Sequence, residues 1–147
     1  MRLGVILTAT VLAAGAVLAD DDKKPDVAKN IVGTWQLTKG VIAGNPMPEE
    51  AVKKLKLELT NGKYKLEGAE SPDEGTWKLY LDKKPYGMDI KGTDGPNKGK
   101  TFLCIFELDG DKLKVCYDLA GKKRPEKFES KPKTPLFLAE YKKVKKE

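Results

Sequence analysis

The sequence predicts an all-β domain: a small antiparallel β-barrel of about eight to nine short strands, with one short helix between the first two. Three observations predict it. Apolar and polar residues alternate over short runs, the period of a strand with one buried face. Turn residues punctuate these runs at close intervals. Two of the turns also set registers in which apolar residues oppose apolar ones and acids oppose lysines.

The elements follow in chain order. Residues 1–19 read as a signal peptide. Arg2 is the only charge before Asp20, Leu3 to Leu18 is apolar or small, and Val17-Leu18-Ala19 places slim residues before a cleavage point. The apolar run is too short, and too soon followed by acids, for a membrane span. Residues 20–30 are charged, carry Pro25 and lack periodicity, which predicts a flexible lead-in. The barrel domain is expected over residues 31–142. Its first strand is Gly33–Leu37, with Trp35 and Leu37 on one face. A linker with Gly44, Pro46 and Pro48 follows. Pro48 to Lys54 then predicts one or two helical turns, with proline at the start and acids before bases.

Asn61-Gly62 is a two-residue hairpin signal. Pairing around it sets Leu59 against Tyr64 and Leu57 against Leu66 on one face. On the other, Glu58 meets Lys65 and Lys56 meets Glu67. Around Asp109-Gly110 the same construction opposes Phe106 to Leu113, Cys104 to Val115 and Phe102 to Tyr117 inside, with Glu107 against Lys112 and Ile105 against Lys114 outside. Further strands are expected at Gly75–Leu81, Tyr86–Lys91, Pro125–Ser130 and Thr134–Lys142, and residues 143–147 read as a solvated basic tail. One sheet curling until its apolar side meets itself satisfies this pattern and removes exposed edges. A two-layer sandwich is the rival architecture.

Composition closes off several functions. The chain has 28 basic and 22 acidic residues and a net charge of +6, yet Arg124 is the only arginine after Arg2. A nucleic-acid surface favours arginine forks interleaved with aromatics, so lysines spaced singly along strands predict no nucleic-acid partner. Histidine is absent. Ser-His and Cys-His nucleophile pairs, imidazole proton shuttles and the commonest metal ligand are therefore all missing. The reading is of a protein that is not an enzyme, with no catalytic residues, no cofactor and no metal.

Single motifs add little chemistry. Gly95-Pro96-Asn97-Lys98-Gly99-Lys100-Thr101 ends like a phosphate loop. It has three residues between its glycines where that motif needs four, and a strand rather than a helix follows. It reads as a mobile basic loop at a barrel rim. Cys104 and Cys116 fall on opposite faces in the expected register, which argues against a disulfide. Glu70, Asp73 and Glu74 read as a solvated turn whose spacing fits no calcium loop.

Gly33-Thr34-Trp35 on a first strand followed by a short helix resembles the opening of lipocalins, and Gly75-Thr76-Trp77 repeats the triplet. The resemblance implies that Trp35 plugs the closed end of the barrel and that Arg124, just before a late strand, packs across it, giving Gly33, Trp35 and Arg124 structural roles. A wider resemblance covers Gly33 to Leu37, Met47 to Leu57, Thr93 to Thr101, Glu107 to Asp111, Lys114 to Tyr117 and Arg124-Pro125 through Pro132. These segments are similar to a family of small uncharacterised exported planctomycete proteins described as lipocalin-like. Cys116 fits that family's pattern and Cys104 departs from it. The family carries no settled activity, so the resemblance transfers no functional residue.

The functional expectation is a periplasmic or extracellular, non-enzymatic binding module for a small apolar or amphipathic ligand. The expected lining is Trp35, Leu57, Leu59, Tyr64, Leu66, Trp77, Met88, Phe102, Phe106 and Tyr117, with the rim loop Gly92 to Lys100 as a second contact. The same side chains could instead fill the core, because eight to nine strands leave little room inside. The alternative is then a solid scaffold acting through its surface on another envelope protein, as an inhibitor or assembly partner.

Overall fold

The computed structural model describes residues 24–145; the expected signal peptide and the first residues of the lead-in lie outside them. Elements run α1 (Lys24–Asn30), β1 (Gly33–Ile42), β2 (Asn45–Pro46), α2 (Glu49–Lys54), β3 (Lys56–Thr60), β4 (Lys63–Glu67), β5 (Asp73–Tyr80), β6 (Tyr86–Asp94), β7 (Thr101–Asp109), β8 (Lys112–Asp118) and β9 (Leu136–Lys143). The antiparallel sheet has the order β2-β1-β3-β4-β5-β6-β7-β8-β9 and closes through β1–β9 pairing. Eight strands therefore form the barrel, and β2 is an extra short strand on β1. No helix among the described residues is long and apolar enough to cross a membrane.

Closure depends on β1. This strand pairs with β3 over Gly33–Gln36 and with β9 over Trp35–Ile42, so its two halves serve two neighbours. The register with β9 shifts between Leu37 and Lys39. A bulge of this kind bends a strand and sharpens its twist, which lets one strand turn the corner of a barrel. Helix α2 begins after Pro48, with Glu49 and Glu50 in its first turn and Lys53 and Lys54 in its last, matching the helix dipole. The Gln36 side-chain amide lies 3.1 Å from the carbonyl oxygens of Val52, Lys53 and Leu55, tying the helix end to β1.

The Asn61-Gly62 hairpin has the predicted register, Leu57 with Leu66, Glu58 with Lys65 and Leu59 with Tyr64. The second hairpin differs by two residues. Asp109 pairs with Lys112, Phe106 with Val115 and Cys104 with Tyr117, so the turn is Gly110-Asp111. Gly110 has φ 59° and supplies the left-handed residue at the first turn position, which suits a type II′ hairpin better than glycine at the second. A shift of two preserves side-chain parity, so the inward set Phe102, Cys104, Phe106, Leu113, Val115 and Tyr117 is unchanged.

Three other expectations are corrected. Lys24–Asn30 is helical rather than irregular, and its Val27 packs against the core. Pro125–Ser130 is not a strand; it belongs to a long connection between β8 and β9 that crosses the outside of the barrel. The basic tail is anchored at its start: the Lys143 ammonium donates to the Asn30 carbonyl at 2.8 Å, and Val144 N–H donates to Thr34.

Candidate functional site

The barrel interior is where a ligand was expected. Of the ten candidate lining residues, Trp35, Leu57, Leu59, Tyr64, Met88, Phe102, Phe106 and Tyr117 are buried, and Leu66 and Trp77 are partly buried against them. They meet Leu37, Leu113, Val115, Ala139 and Tyr141 in one cluster. Trp35 closes one end with no exposed surface, and its indole N–H donates to the Ile31 carbonyl at 2.8 Å. At the barrel's centre the hydroxyls of Tyr117 and Tyr141 bond each other at 2.8 Å. Burial pushes both phenols well above their ordinary pKa, so the pair stays neutral. Among the clefts of about 360 to 700 Å³, Tyr64 borders one and Phe106 another, while Trp35, Leu57, Leu59, Leu66, Trp77, Met88, Phe102 and Tyr117 border none of them.

At the opposite rim the acid turn is not simply solvated. Asp73 begins β5, faces inward and is 6% exposed. One carboxylate oxygen accepts from Asn97 Nδ2 at 2.7 Å and Tyr64 OH at 3.2 Å. The other, Oδ1, has no hydrogen-bond partner. Burial, reinforced by the neighbouring Asp73 charge, raises the Tyr64 phenol. This carboxylate latches the loop after β6 over the barrel mouth. That loop is further knitted by Gly92, Lys98, Gly99 and Lys100 backbone bonds. A mobile basic loop was expected here, and these backbone bonds instead tie the segment into a closed turn.

Arg124 does not reach Trp35. Lys143 takes that place, its ammonium 5.4 Å from the Trp35 ring centroid. Gly33 makes room for it, since a Cβ there would lie 2.7 Å from Lys143 Cε. Arg124 instead fastens the long connection to the outside of the barrel. Its guanidinium donates to the Cys104 carbonyl at 2.8 Å, the Met88 carbonyl at 3.1 Å and Asp89 Oδ1 at 2.6 Å. Its cationic carbon lies 5.1 Å from the Tyr80 ring centroid, and Tyr80 OH donates to the other Asp89 oxygen at 2.8 Å. The reason is positional: Arg124 lies six residues past the end of β8, on the outer wall, whereas Trp35 points inward.

The connection covers an outer patch that would otherwise be wet. Ile105 and Cys116 pair across β7 and β8 on the outward side, yet both are buried. Cys116 Sγ donates to the Glu129 carbonyl at 3.3 Å, and the Ser130 hydroxyl donates to Leu136 O at 2.8 Å. Cys104 faces the interior, so the two thiols are free and lie on opposite sides of the sheet. Burial pushes both thiols above the ordinary cysteine pKa, far above for Cys104. Neither is poised as a nucleophile.

Asp118 organises the start of the connection. Its carboxylate accepts backbone N–H bonds from Ala120 at 3.0 Å, Lys122 at 2.8 Å and Lys123 at 2.7 Å. Burial alone would raise this carboxyl, but the donors of Lys123, Ala120 and Lys122 outweigh it and its pKa lies below the usual Asp value. The sequence gives one cue to this role, an acid followed by a Gly-containing turn, Leu119-Ala120-Gly121.

On the barrel wall some lysines oppose acids across strands, Lys65 with Glu58 and Glu74, Lys78 with Asp89, and Lys114 with Glu107 and Glu140, while Lys63 and Lys91 oppose threonines and Lys112 opposes Lys142. The β8–β9 connection abuts the start of β7, since a Cβ on Gly121 would collide with the Thr101 carbonyl. No protein-family model matches the chain, and no curated protein or solved structure matches it either.

Proposed function

We propose that this chain is an exported, non-enzymatic β-barrel module that acts through its surface on another protein of the cell envelope. The observation that supports this reading is the buried interior: large side chains from the barrel strands pack in one cluster, with a neutral tyrosine pair among them. Eight-stranded barrels are just wide enough to be filled in this way. A small apolar ligand would have to displace packed side chains, and core contacts of this density are costly to open. Export, and kinship with the lipocalin-like planctomycete proteins, belong to the same reading. They rest on the leader-like residues before Asp20 and on the shared segments around Gly33–Trp35 and Arg124–Pro132.

Native mass spectrometry of the protein purified from its own host tests the proposal. The expected spectrum is the bare chain, with its leader removed, and no added mass. A co-purifying lipid or other apolar molecule bound in stoichiometric amount would overturn the surface reading. Retention of residues 1–19 would overturn export by signal cleavage.

A further inference from the structure

Two buried apolar side chains among the described residues stand outside the interior cluster: Ile105 and Cys116, 2% and 0% exposed. Both point outward, so something other than the core covers them. The strand registers place them in one row across the outer wall: Gly87 on β6, Ile105 on β7, Cys116 on β8, Leu138 on β9 and Val41 on β1. Residues paired across strands share a face, so this row is a continuous apolar band. The next outward row, toward the β7–β8 turn, is charged throughout: Glu107, Lys114, Glu140 and Lys39.

The β8–β9 connection lies along the band. Arg124 sits over Gly87, where a Cβ would be 3.3 Å from its Nη1. The chain then returns across Cys116, whose thiol donates to the Glu129 carbonyl at 3.3 Å. It reaches β9 and the turn after β1 at Ser130, whose hydroxyl donates to Leu136 O at 2.8 Å and accepts from Gly44 N at 3.1 Å. The two ends of the connection are joined by Leu119 N–H donating to Pro135 O at 2.8 Å, so residues 119–135 form a loop with a narrow neck. Among the described residues, no backbone–backbone hydrogen bond ties Lys122 to Thr134 onto a strand. Side chains fasten the loop instead, and its limbs border a cleft of about 480 Å³. Lifting it would break the bonds of Arg124, Ser130 and Cys116 and leave every strand ladder of the barrel paired. Segments held in this way open at lower free energy than the strands beneath them.

We propose that residues 119–135 are a hinged cover that lifts from the barrel as a unit, giving the molecule a covered and an uncovered state of the band Ile105–Cys116–Leu138 while the barrel stays closed. The hinge is the neck between Leu119 and Pro135, steadied by Asp118 through the N–H groups of Ala120, Lys122 and Lys123. The clasp is Arg124 on Asp89 and on the carbonyls of Met88 and Cys104. This device goes beyond the surface reading above and does not depend on it.

The test needs no variant, because one thiol lies under the cover and the other inside the barrel. Alkylation of wild type by iodoacetamide is followed at both cysteines by mass spectrometry over a urea series below the unfolding transition. Each rate is referred to that of the same thiol in the unfolded chain. Cys116 is expected to react at least about tenfold faster than Cys104. Its urea dependence should be less than about a third of that of Cys104, since lifting the cover exposes little surface. Equal rates sharing the full urea dependence would show that the cover opens only when the barrel unfolds, and would overturn the proposal. A Cys116 rate matching the unfolded chain would show that nothing covers the band, and would overturn it too. In a second arm Cys116 carries a polyethylene-glycol maleimide, which cannot fit beneath Glu129. The far-ultraviolet dichroism of the barrel is expected to persist, while trypsin cuts after Lys122, Lys123 and Lys127 at least about tenfold faster than in unlabelled protein. Loss of the dichroism, or an unchanged cutting rate, would contradict a cover that moves separately from the barrel.

Discussion

Arg124→Met tests how the long connection is held to the barrel. The substitution keeps an unbranched apolar stem and removes two hydrogen bonds to carbonyls, the ion pair with Asp89 and the contact with the Tyr80 ring. Charged hydrogen bonds contribute about 1.5–3 kcal/mol each, and a cation over an aromatic face about 0.5–2 kcal/mol. The side chains of Arg124 and Asp89 are 33% and 26% exposed, so water screens the ion pair and replaces part of what is lost. A net loss of about 2–4 kcal/mol in local anchoring follows. The readout is Cys116, buried beneath the connection, while Cys104 is buried inside the barrel. Where labelling proceeds through local opening, that loss speeds Cys116 modification by a thiol reagent about 30- to 1000-fold, at about 1.4 kcal/mol per decade. Cys104 should keep its slow rate. Equal acceleration of both cysteines would mean global destabilisation, and an unchanged Cys116 rate would mean that Arg124 does not hold the connection; either result refutes the reasoning.

Two further substitutions probe buried polar groups. Asp118→Asn exchanges an acceptor-only carboxylate for an amide facing three N–H donors, and should cost about 2–3 kcal/mol in urea unfolding at neutral pH. Because the folded pKa of Asp118 is depressed, its contribution is present above the unfolded value of about 3.9 and lost as pH falls through the folded value; the Asn variant should show a smaller loss of stability over that acid range. In the core, Tyr117→Phe or Tyr141→Phe leaves one buried hydroxyl without its partner and should cost about 1–3 kcal/mol, whereas the double variant should cost no more than either single one. Additive losses in that cycle would show that the two hydroxyls do not depend on each other.

How much of this was legible follows from which forces act locally. The Asn61-Gly62 hairpin was readable to the residue because its turn, its Leu57–Leu66 and Leu59–Tyr64 pairs and its Glu58–Lys65 pair all demand one register. The second hairpin was readable only in parity: both Asp109-Gly110 and Gly110-Asp111 can turn, and cross-strand acid–lysine pairs exist in either register, Glu107 with Lys112 or with Lys114. The inward residues survive that ambiguity because a two-residue shift does not exchange faces. Pro125–Ser130 alternates enough to resemble a strand, but its contacts are with the outer wall, through the Glu129 carbonyl and Arg124, and no local signal encodes them. Arg124 was expected against Trp35 and instead meets Met88, Cys104, Asp89 and Tyr80, since the identity of a partner depends on the path of the connection. Asp73 and Asp118 were hidden for the same reason: an acid in a turn looks alike in sequence whether it meets water or backbone N–H groups.

The filled interior is tested most directly by a crystal of this protein under xenon pressure. Xenon enters apolar voids and leaves packed cores empty. The account predicts no xenon among Trp35, Leu59, Met88, Phe106 and Tyr117, whose side chains are packed in one buried cluster. Well-occupied xenon at the centre of that group would reveal a cargo cavity and contradict the account.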